Sequence, residues 1–220
     1  MTDVLVLGEN TFPFHKIDTK ADYFESILAD HEVTVTTDRD ALTGEYDVLV
    51  DYLTDSVLTD AQLEALLSHV ESGGGYVGVH CASDLTSTAA DDPDETITGL
   101  DEPVPEFRDL LGGHFLTHPE QSEFTVRIHD EDSDGEGEHP IVTDVDDFAL
   151  FDEPYQVEVD DSVRVLARMD HPDLDEYPVV WTNESRGRVA YVSLGHTDEA
   201  FETDGFQRLL QNAVAWADGN

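Results

Sequence analysis

The sequence predicts a three-layer α/β fold in which a mainly parallel sheet is covered by helices on both faces. Short β-branched runs with no polar face, such as Val4-Leu5-Val6-Leu7, mark strands buried on both sides. Amphipathic stretches with helical spacing alternate with these runs, the order that builds parallel sheets. Glycines close several elements, most densely at Gly73-Gly74-Gly75. With 220 residues, no internal repeat and no dividing linker, the chain is expected to form one domain over 1–220.

The first strand ends at Gly8, and a loop from Glu9 to His15 follows, containing Phe12-Pro13-Phe14. Asp18 is placed to cap a helix that buries Ala21, Phe24, Ile27 and Leu28. Val33 to Thr36 and Tyr46 to Val50 read as the second and third strands. Thr59 caps the next helix, where Leu63, Leu66, Leu67 and Val70 share one face, and Gly73 to Gly75 stop it. Tyr76 to Val79 is the central strand, aromatic and β-branched between glycines that permit sharp turns. Leu85 to Pro105 is acidic and has no apolar period, so it reads as a long surface loop, either a solvated insertion or a lid. Phe107, Leu110 and Leu111 make a short helix ended by Gly112-Gly113. Phe124 to Ile128 alternates as a strand, and Asp130 to Glu138 is an acidic turn. Residues 139–141 and 148–155 read as irregular segments of little surface character. Val163 to Met169, Val179 to Trp181 and Val189 to Leu194 supply three more strands, the last stopping at Gly195-His196. A closing helix buries Phe206, Leu209, Leu210, Ala213 and Val214.

Fifty-one acidic residues against ten basic ones give a formal charge of −41. Such a surface repels itself in dilute buffer, whereas at molar salt the screening length falls to roughly 3 Å. The charge therefore points to the salt-saturated cytoplasm of an extreme halophile. Acids spread between clear apolar periodicities argue against a disordered tail. Nucleic acid is excluded as a partner by the lack of a basic patch. Cys81 is the only cysteine, so no intrachain disulfide can form. Met1-Thr2-Asp3 leads into an apolar run without a basic start, a signal-peptide core or a spanning segment, so a cytoplasmic protein with no membrane partner is expected.

Histidine is the informative residue type. His15, His80, His114, His118, His139 and His196 sit at strand ends or beside Gly or Pro, while His31, His69, His129 and His171 fall on apparent surface positions. Any one of the six is adequately explained as a hydrogen-bonded structural group. Together, histidines that follow parallel strands must converge near one end of the sheet, where open α/β sheets bind ligands. Neutral imidazole is a common transition-metal ligand and a natural acid or base near neutral pH. A divalent ion such as zinc would need about three such groups with a carboxylate beside them. His80, His114, His118 and His196 are the nominated ligands, and Glu153 and Asp84 the nominated carboxylates. No HxH or HExxH spacing fixes which of them meet. Cys81 follows His80 directly, but neighbours on a strand face opposite ways, so a small buried core residue is its default reading. Asp198-Glu199 reads as solvated, and Trp181 as core or as a sugar platform.

Six motifs occur in order: Gly73 to His80 (GGGYVGVH), Leu111 to Pro119 (LGGHFLTHP), His139-Pro140-Ile141, Asp152-Glu153-Pro154-Tyr155, Pro178 to Thr182 (PVVWT), and Gly187-Arg188-Val189 through Gly195-His196. Together with Asn212 to Ala217 they resemble the ThuA-like, or trehalose-utilisation, family across nearly the whole chain. That resemblance implies the flavodoxin-like fold of class I glutamine amidotransferases. Amidotransferases present a nucleophilic cysteine after the central strand. Here the matching position is His80 and Cys81 comes one residue too late, which argues against a thiol amidotransferase. The loop from Thr86 to Pro105 is longer than the family pattern suggests. The family is tied to trehalose and related disaccharides through 3-keto sugars made by a partner oxidoreductase. The implied function is histidine- or metal-assisted proton transfer on a keto-disaccharide, as an isomerase, lyase or hydrolase, with His80, His118, Glu153 and His196 catalytic and His15, Asp84 and Trp181 binding substrate. The alternatives are a non-catalytic sugar-binding or regulatory module and a small hydrolase using Cys81. Homo-oligomer formation stays open.

Overall fold

The computed structural model describes residues 1–90, 92, 95–129 and 138–219; most of the acidic turn expected at 130–138 lies outside them. Along the chain, β1 (Asp3–Gly8), α1 (Ala21–Ile27), β2 (Glu32–Thr36), β3 (Val48–Tyr52), α2 (Asp60–Glu71) and β4 (Gly75–Val79) alternate. A hairpin of β5 (Ser87–Ala89) and β6 (Ile97–Gly99) follows, then α3 (Pro105–Leu111), β7 (Gly113–Thr117), β8 (Ser122–Ile128), β9 (Phe148–Asp152) and β10 (Gln156–Val159). The chain closes with β11 (Arg164–Asp170), β12 (Pro178–Thr182), β13 (Arg188–Val192), α4 (Asp198–Glu202) and α5 (Asp204–Asp218).

Nine strands form one mixed sheet in the order β2-β1-β3-β4-β13-β12-β11-β8-β9. The first five run parallel, and with β13 counted fifth their order is the flavodoxin-like 2-1-3-4-5. The other four add antiparallel strands. Side chains alternate between two cores, as the pleat requires. Val4 and Val6 of β1, Val77 and Val79 of β4 and Ala190 and Val192 of β13 pack on one face with α1 and α5. Leu5, Leu7, Tyr76, Val189 and Tyr191 pack on the other with α2 and α3. The helix α2 opens at Thr59, the cap expected from sequence, which forms a capping box: its side chain and that of Gln62 exchange bonds with each other's backbone N–H. Gly75 lets α5 approach the sheet, since a Cβ there would lie 2.7 Å from Ala217.

The structure departs from the sequence expectations in four places. Ile17 is buried and draws Ile17–Thr19 into a 3-10 turn, so α1 starts later and Lys20, not Asp18, is its N-cap. The third strand runs two residues beyond its expected end, because buried Asp51 has partners for its carboxylate in the Tyr76 hydroxyl and the Leu53 N–H. The stretch from Leu85 to Pro105 contains the β5–β6 hairpin, held by Thr88 Oγ1 and the Ala89 N–H on the Asp55 carboxylate. β9 occupies a segment read as irregular, and β10 and α4 form where no element was expected.

Asp51 gives a stability test of this core. Burial pushes its carboxyl up to about 6 from 3.8, against hydrogen bonds from Tyr76 and Leu53 that pull it down. The folded state therefore holds this proton more tightly than the unfolded chain. Its contribution is complete below pH 3.8 and is lost as pH rises towards about 6, a change of about 3 kcal/mol. An asparagine side chain at this position would keep the shape of the protonated acid. The stability of Asp51→Asn relative to the parent should then grow by about 3 kcal/mol between pH 4 and 7, measured by urea unfolding in molar KCl. A pH-independent difference would remove Asp51 as the origin.

Candidate functional site

Three histidines reach one point from the carboxyl ends of β1, β4 and β13, beside the switch point between β1 and β3 where this strand order opens a crevice. The loop after β1 is closed at its base by the Ile17 N–H on the Glu9 carbonyl, and it delivers His15 with φ 51°. His80 leaves β4 with φ 46° and starts a 3-10 turn. His196 follows Gly195, whose φ of 120° suits glycine and turns the chain out of β13. Among the described residues only three non-glycines have positive φ, and two are these histidines. Such backbone persists where surrounding contacts over-determine it. Those contacts are visible: the Tyr52 hydroxyl donates to the Gly195 carbonyl at 2.8 Å, and buried Asp152 accepts the N–H groups of Gly195, His196 and Thr197 at 2.7, 3.0 and 3.0 Å. The next residue, Glu153, brings its carboxylate into the same space.

The facing atoms form a closed ring. His15 Nε2 lies 3.0 Å from His196 Nδ1 and 3.1 Å from His80 Nε2. Glu153 Oε2 completes it, 3.1 Å from His196 Nδ1 and 3.4 Å from His80 Nε2. The outer nitrogens are tied back: His80 Nδ1 donates to the Ser193 carbonyl at 2.9 Å, and His15 Nδ1 meets Thr54 Oγ1 at 2.9 Å. A carbonyl can only accept, so the Nδ1 proton of His80 is fixed and a neutral His80 turns a lone pair on Nε2 towards the ring. His118 stands at the rim with its side chain 36% exposed, Nε2 3.7 Å from Glu153 Oε2 and Nδ1 donating to the Pro119 carbonyl. Its ring stacks on Tyr155, which also touches Phe115 and His80. Exposed Phe14 sits edge-on to His15.

Burial, then the neighbouring His80 and His196, lower His15 to about 2, so its imidazole is neutral at any ordinary pH. Burial alone would raise Glu153, but hydrogen bonds from His196 and His80, together with their charge, outweigh it and hold the carboxyl below its usual range. The site thus sets an anion beside a neutral His15 and two further imidazoles, an arrangement that attracts a cation, stabilises an imidazolium, or passes a proton between adjacent atoms.

The structure brings His15, His80, His196 and Glu153 together, with His118 beside them. It does not bring in His114, Asp84 or Trp181. His114 stands on β7 opposite Glu158, outside the ring. The Asp84 carboxylate accepts from the Thr86 N–H and hydroxyl and the Ser87 N–H, closing its own turn. Trp181 is buried in the core, its indole N–H on the Leu111 carbonyl and its ring against Tyr191, so it presents no platform. His139 accepts the Ile141 N–H at the start of its own turn. Cys81 is buried, and burial pushes its thiol well above the ordinary range, so it offers no nucleophile. Asp152 and Tyr155 were noted in sequence only as members of the Asp-Glu-Pro-Tyr motif and Phe14 only as part of the first loop, none with a site role, and Thr54 was not noted at all. An Asp immediately before a nominated Glu was the one available signal.

The family model described as ThuA, trehalose utilisation, matches residues 3–217. The chain belongs to the ThuA family. Its fold is similar to that of a ThuA-like protein from Bacteroides uniformis, with 23% identity, 97% of this chain and 90% of that one covered, and a TM-score of 0.74. A ThuA-like protein from Parabacteroides merdae gives 17% identity, 100% and 91% coverage, and a TM-score of 0.70. The ThuA fold also matches part of a cold-adapted β-galactosidase from Rahnella sp. R3, at 16% identity over 98% of this chain and 31% of that one, TM-score 0.66. No curated protein matches the chain. Among the described residues, no helix of this ThuA-family chain is long and apolar enough to cross a membrane.

Proposed function

We propose that this ThuA-family protein acts on an oxidised disaccharide, a 3-keto sugar supplied by an oxidoreductase, through proton transfer beside the ketone. The observation that carries the reading is the ring of His15, His80, His196 and Glu153 at the carboxyl ends of the parallel strands, opening at His118. The ketone oxygen would sit at the mouth of the ring, where positive charge, carried by a protonated His80 or by a bound ion, stabilises the oxyanion that develops there. Glu153 or His118 takes the proton from the carbon next to the ketone, and the electron pair moves onto the ketone oxygen. That enediolate then either reprotonates at the neighbouring carbon, an isomerisation, or expels the glycosidic oxygen, an elimination. In the second course His118, at the exposed rim, is placed to hand a proton to the departing oxygen. Phe14 and His118, the latter backed by buried Tyr155, offer ring faces to the sugar. Among the described residues no second carboxylate joins the ring, which disfavours ordinary two-carboxylate glycoside hydrolysis.

The test is to incubate the protein with 3-keto-trehalose and with trehalose in molar KCl and to follow products by mass spectrometry. Turnover is expected for the keto sugar alone, falling about 10²-fold in His118→Ala, the usual scale of a lost acid–base group. Calorimetric binding of trehalose without turnover of either sugar would instead support a binding module.

A further inference from the structure

We propose that His15, His80, His196 and Glu153 bind one divalent transition-metal ion of the zinc class. Their four contacts form a ring with edges of 3.0 to 3.4 Å, and all four atoms lie within 4.8 Å of one another. A ring with such edges, its atoms no more than 4.8 Å apart, has its centre about 2 to 2.4 Å from each corner, against metal–nitrogen bonds of about 2.0 to 2.1 Å. One ion at that centre would meet all four donors without moving the backbone.

Proton accounting points the same way. The Nδ1 proton of His80 is committed to the Ser193 carbonyl, so a neutral His80 has only a lone pair on Nε2. Its contact with the Glu153 carboxylate then joins two acceptors. If His15 Nε2 carries a proton towards His80, the His196 contacts cannot both be satisfied. With the proton of His196 on Nδ1, two protons face each other at 3.0 Å, and with it on Nε2, the 3.1 Å contact to Glu153 joins two acceptors. At least two of the four contacts therefore fail while His80 is neutral. One cation at the centre satisfies all four, since each of the four atoms then offers it a lone pair. The competing solution is a proton: a His80 cation paired with Glu153.

The donor chemistry selects among metals. Three imidazoles and one carboxylate suit zinc and its first-row neighbours, whereas magnesium and calcium take oxygen ligands. The outer contacts are those of a built site. Ser193 and Thr54 fix the rings of His80 and His15 from behind, and the Asp152 carboxylate fixes the backbone that carries His196. The ligand set differs from the one expected from sequence: His15 enters in place of His114 and His118, while Glu153, one of the two nominated carboxylates, completes it. This rests on the same site as the proton-transfer reading, but its test involves no sugar, so either can fail while the other stands.

The test is metal content and cobalt spectroscopy on the intact chain. Protein stripped with a chelator and dialysed in molar KCl against micromolar zinc or cobalt should retain one ion per chain, and the cobalt form should show visible d–d absorption. His80→Ala and His196→Ala should each weaken binding by 100-fold or more, and Thr54→Ala by about 10-fold, while His114→Ala keeps full stoichiometry. His196 lies nearer the surface than His80, so the test survives if His80→Ala fails to fold. Retention of no ion would overturn the proposal in favour of the His80 proton, and retention undiminished in both histidine variants would assign the ion to surface carboxylates and overturn it equally.

Discussion

Replacing Asp152 with alanine should cost about 3 to 5 kcal/mol of stability, since the buried Gly195 N–H loses its acceptor at about 1 to 3 kcal/mol and the half-buried His196 and Thr197 N–H groups at about 1 kcal/mol each. Asp152 is fully buried, with one oxygen accepting from Gly195 and the other from His196 and Thr197. These are the residues by which the chain leaves β13 through a left-handed glycine and enters α4, where Thr197 caps the helix by accepting the Ala200 N–H. Alanine frees that whole exit. Asparagine is the informative companion: its oxygen can keep His196 and Thr197, but its amide must face the Gly195 N–H, donor against donor. Stability should therefore fall in the order parent, Asn, Ala, read as urea midpoints in molar KCl. The site should fall with it, because His196 loses its place opposite His15 and Glu153. An Asp152→Ala variant as stable as the parent would show that the carboxylate does not hold this turn.

What was legible in the sequence follows from which physics is local. Buried parallel strands are short apolar runs, so β1, β4 and β13 could be read directly, and histidines just beyond them had to share one end of the sheet. Helix caps at Thr59 and Gly112 are also local. The rest depends on pairing. β9 lies at the edge of the sheet and shows an exposed residue at every second place or so, and β10 pairs only with β7, so neither has the all-apolar signature of a central strand. Asp51 looked like a strand end because its buried partners, Tyr76 and Leu53, cannot be inferred from spacing. The same limit applied at the site. His114 and His118 are near neighbours in an apparently common motif, yet β7 turns one towards Glu158 while the other, just past its end, reaches Glu153. Which histidines meet is decided by side-chain direction at strand exits, and there by two positive φ angles, which histidine adopts more readily than most residues yet too seldom to be read from sequence.

Glu153→Gln should lower turnover of the keto sugar by about 10² to 10⁴-fold, the range of a lost acid–base group, with the fold retained. One oxygen of Glu153 lies 3.1, 3.4 and 3.7 Å from His196, His80 and His118, so it is the single anion answering three imidazoles. Glutamine has nearly the same shape but no charge, and it cannot accept a proton from a carbon acid. The stability of the variant separates this from a packing effect. Glu153 is held below its ordinary carboxyl range, so its charge stabilises the fold above pH 4.5 and that contribution disappears as pH falls through the lowered folded value. Glu153→Gln should accordingly be less stable than the parent at pH 7, with the gap closing on acidification. A variant that loses activity while showing a gap that does not change with pH would point to lost shape rather than lost charge. Full turnover in a folded Glu153→Gln protein would remove Glu153 from the chemistry and leave the proton transfer to His118 alone.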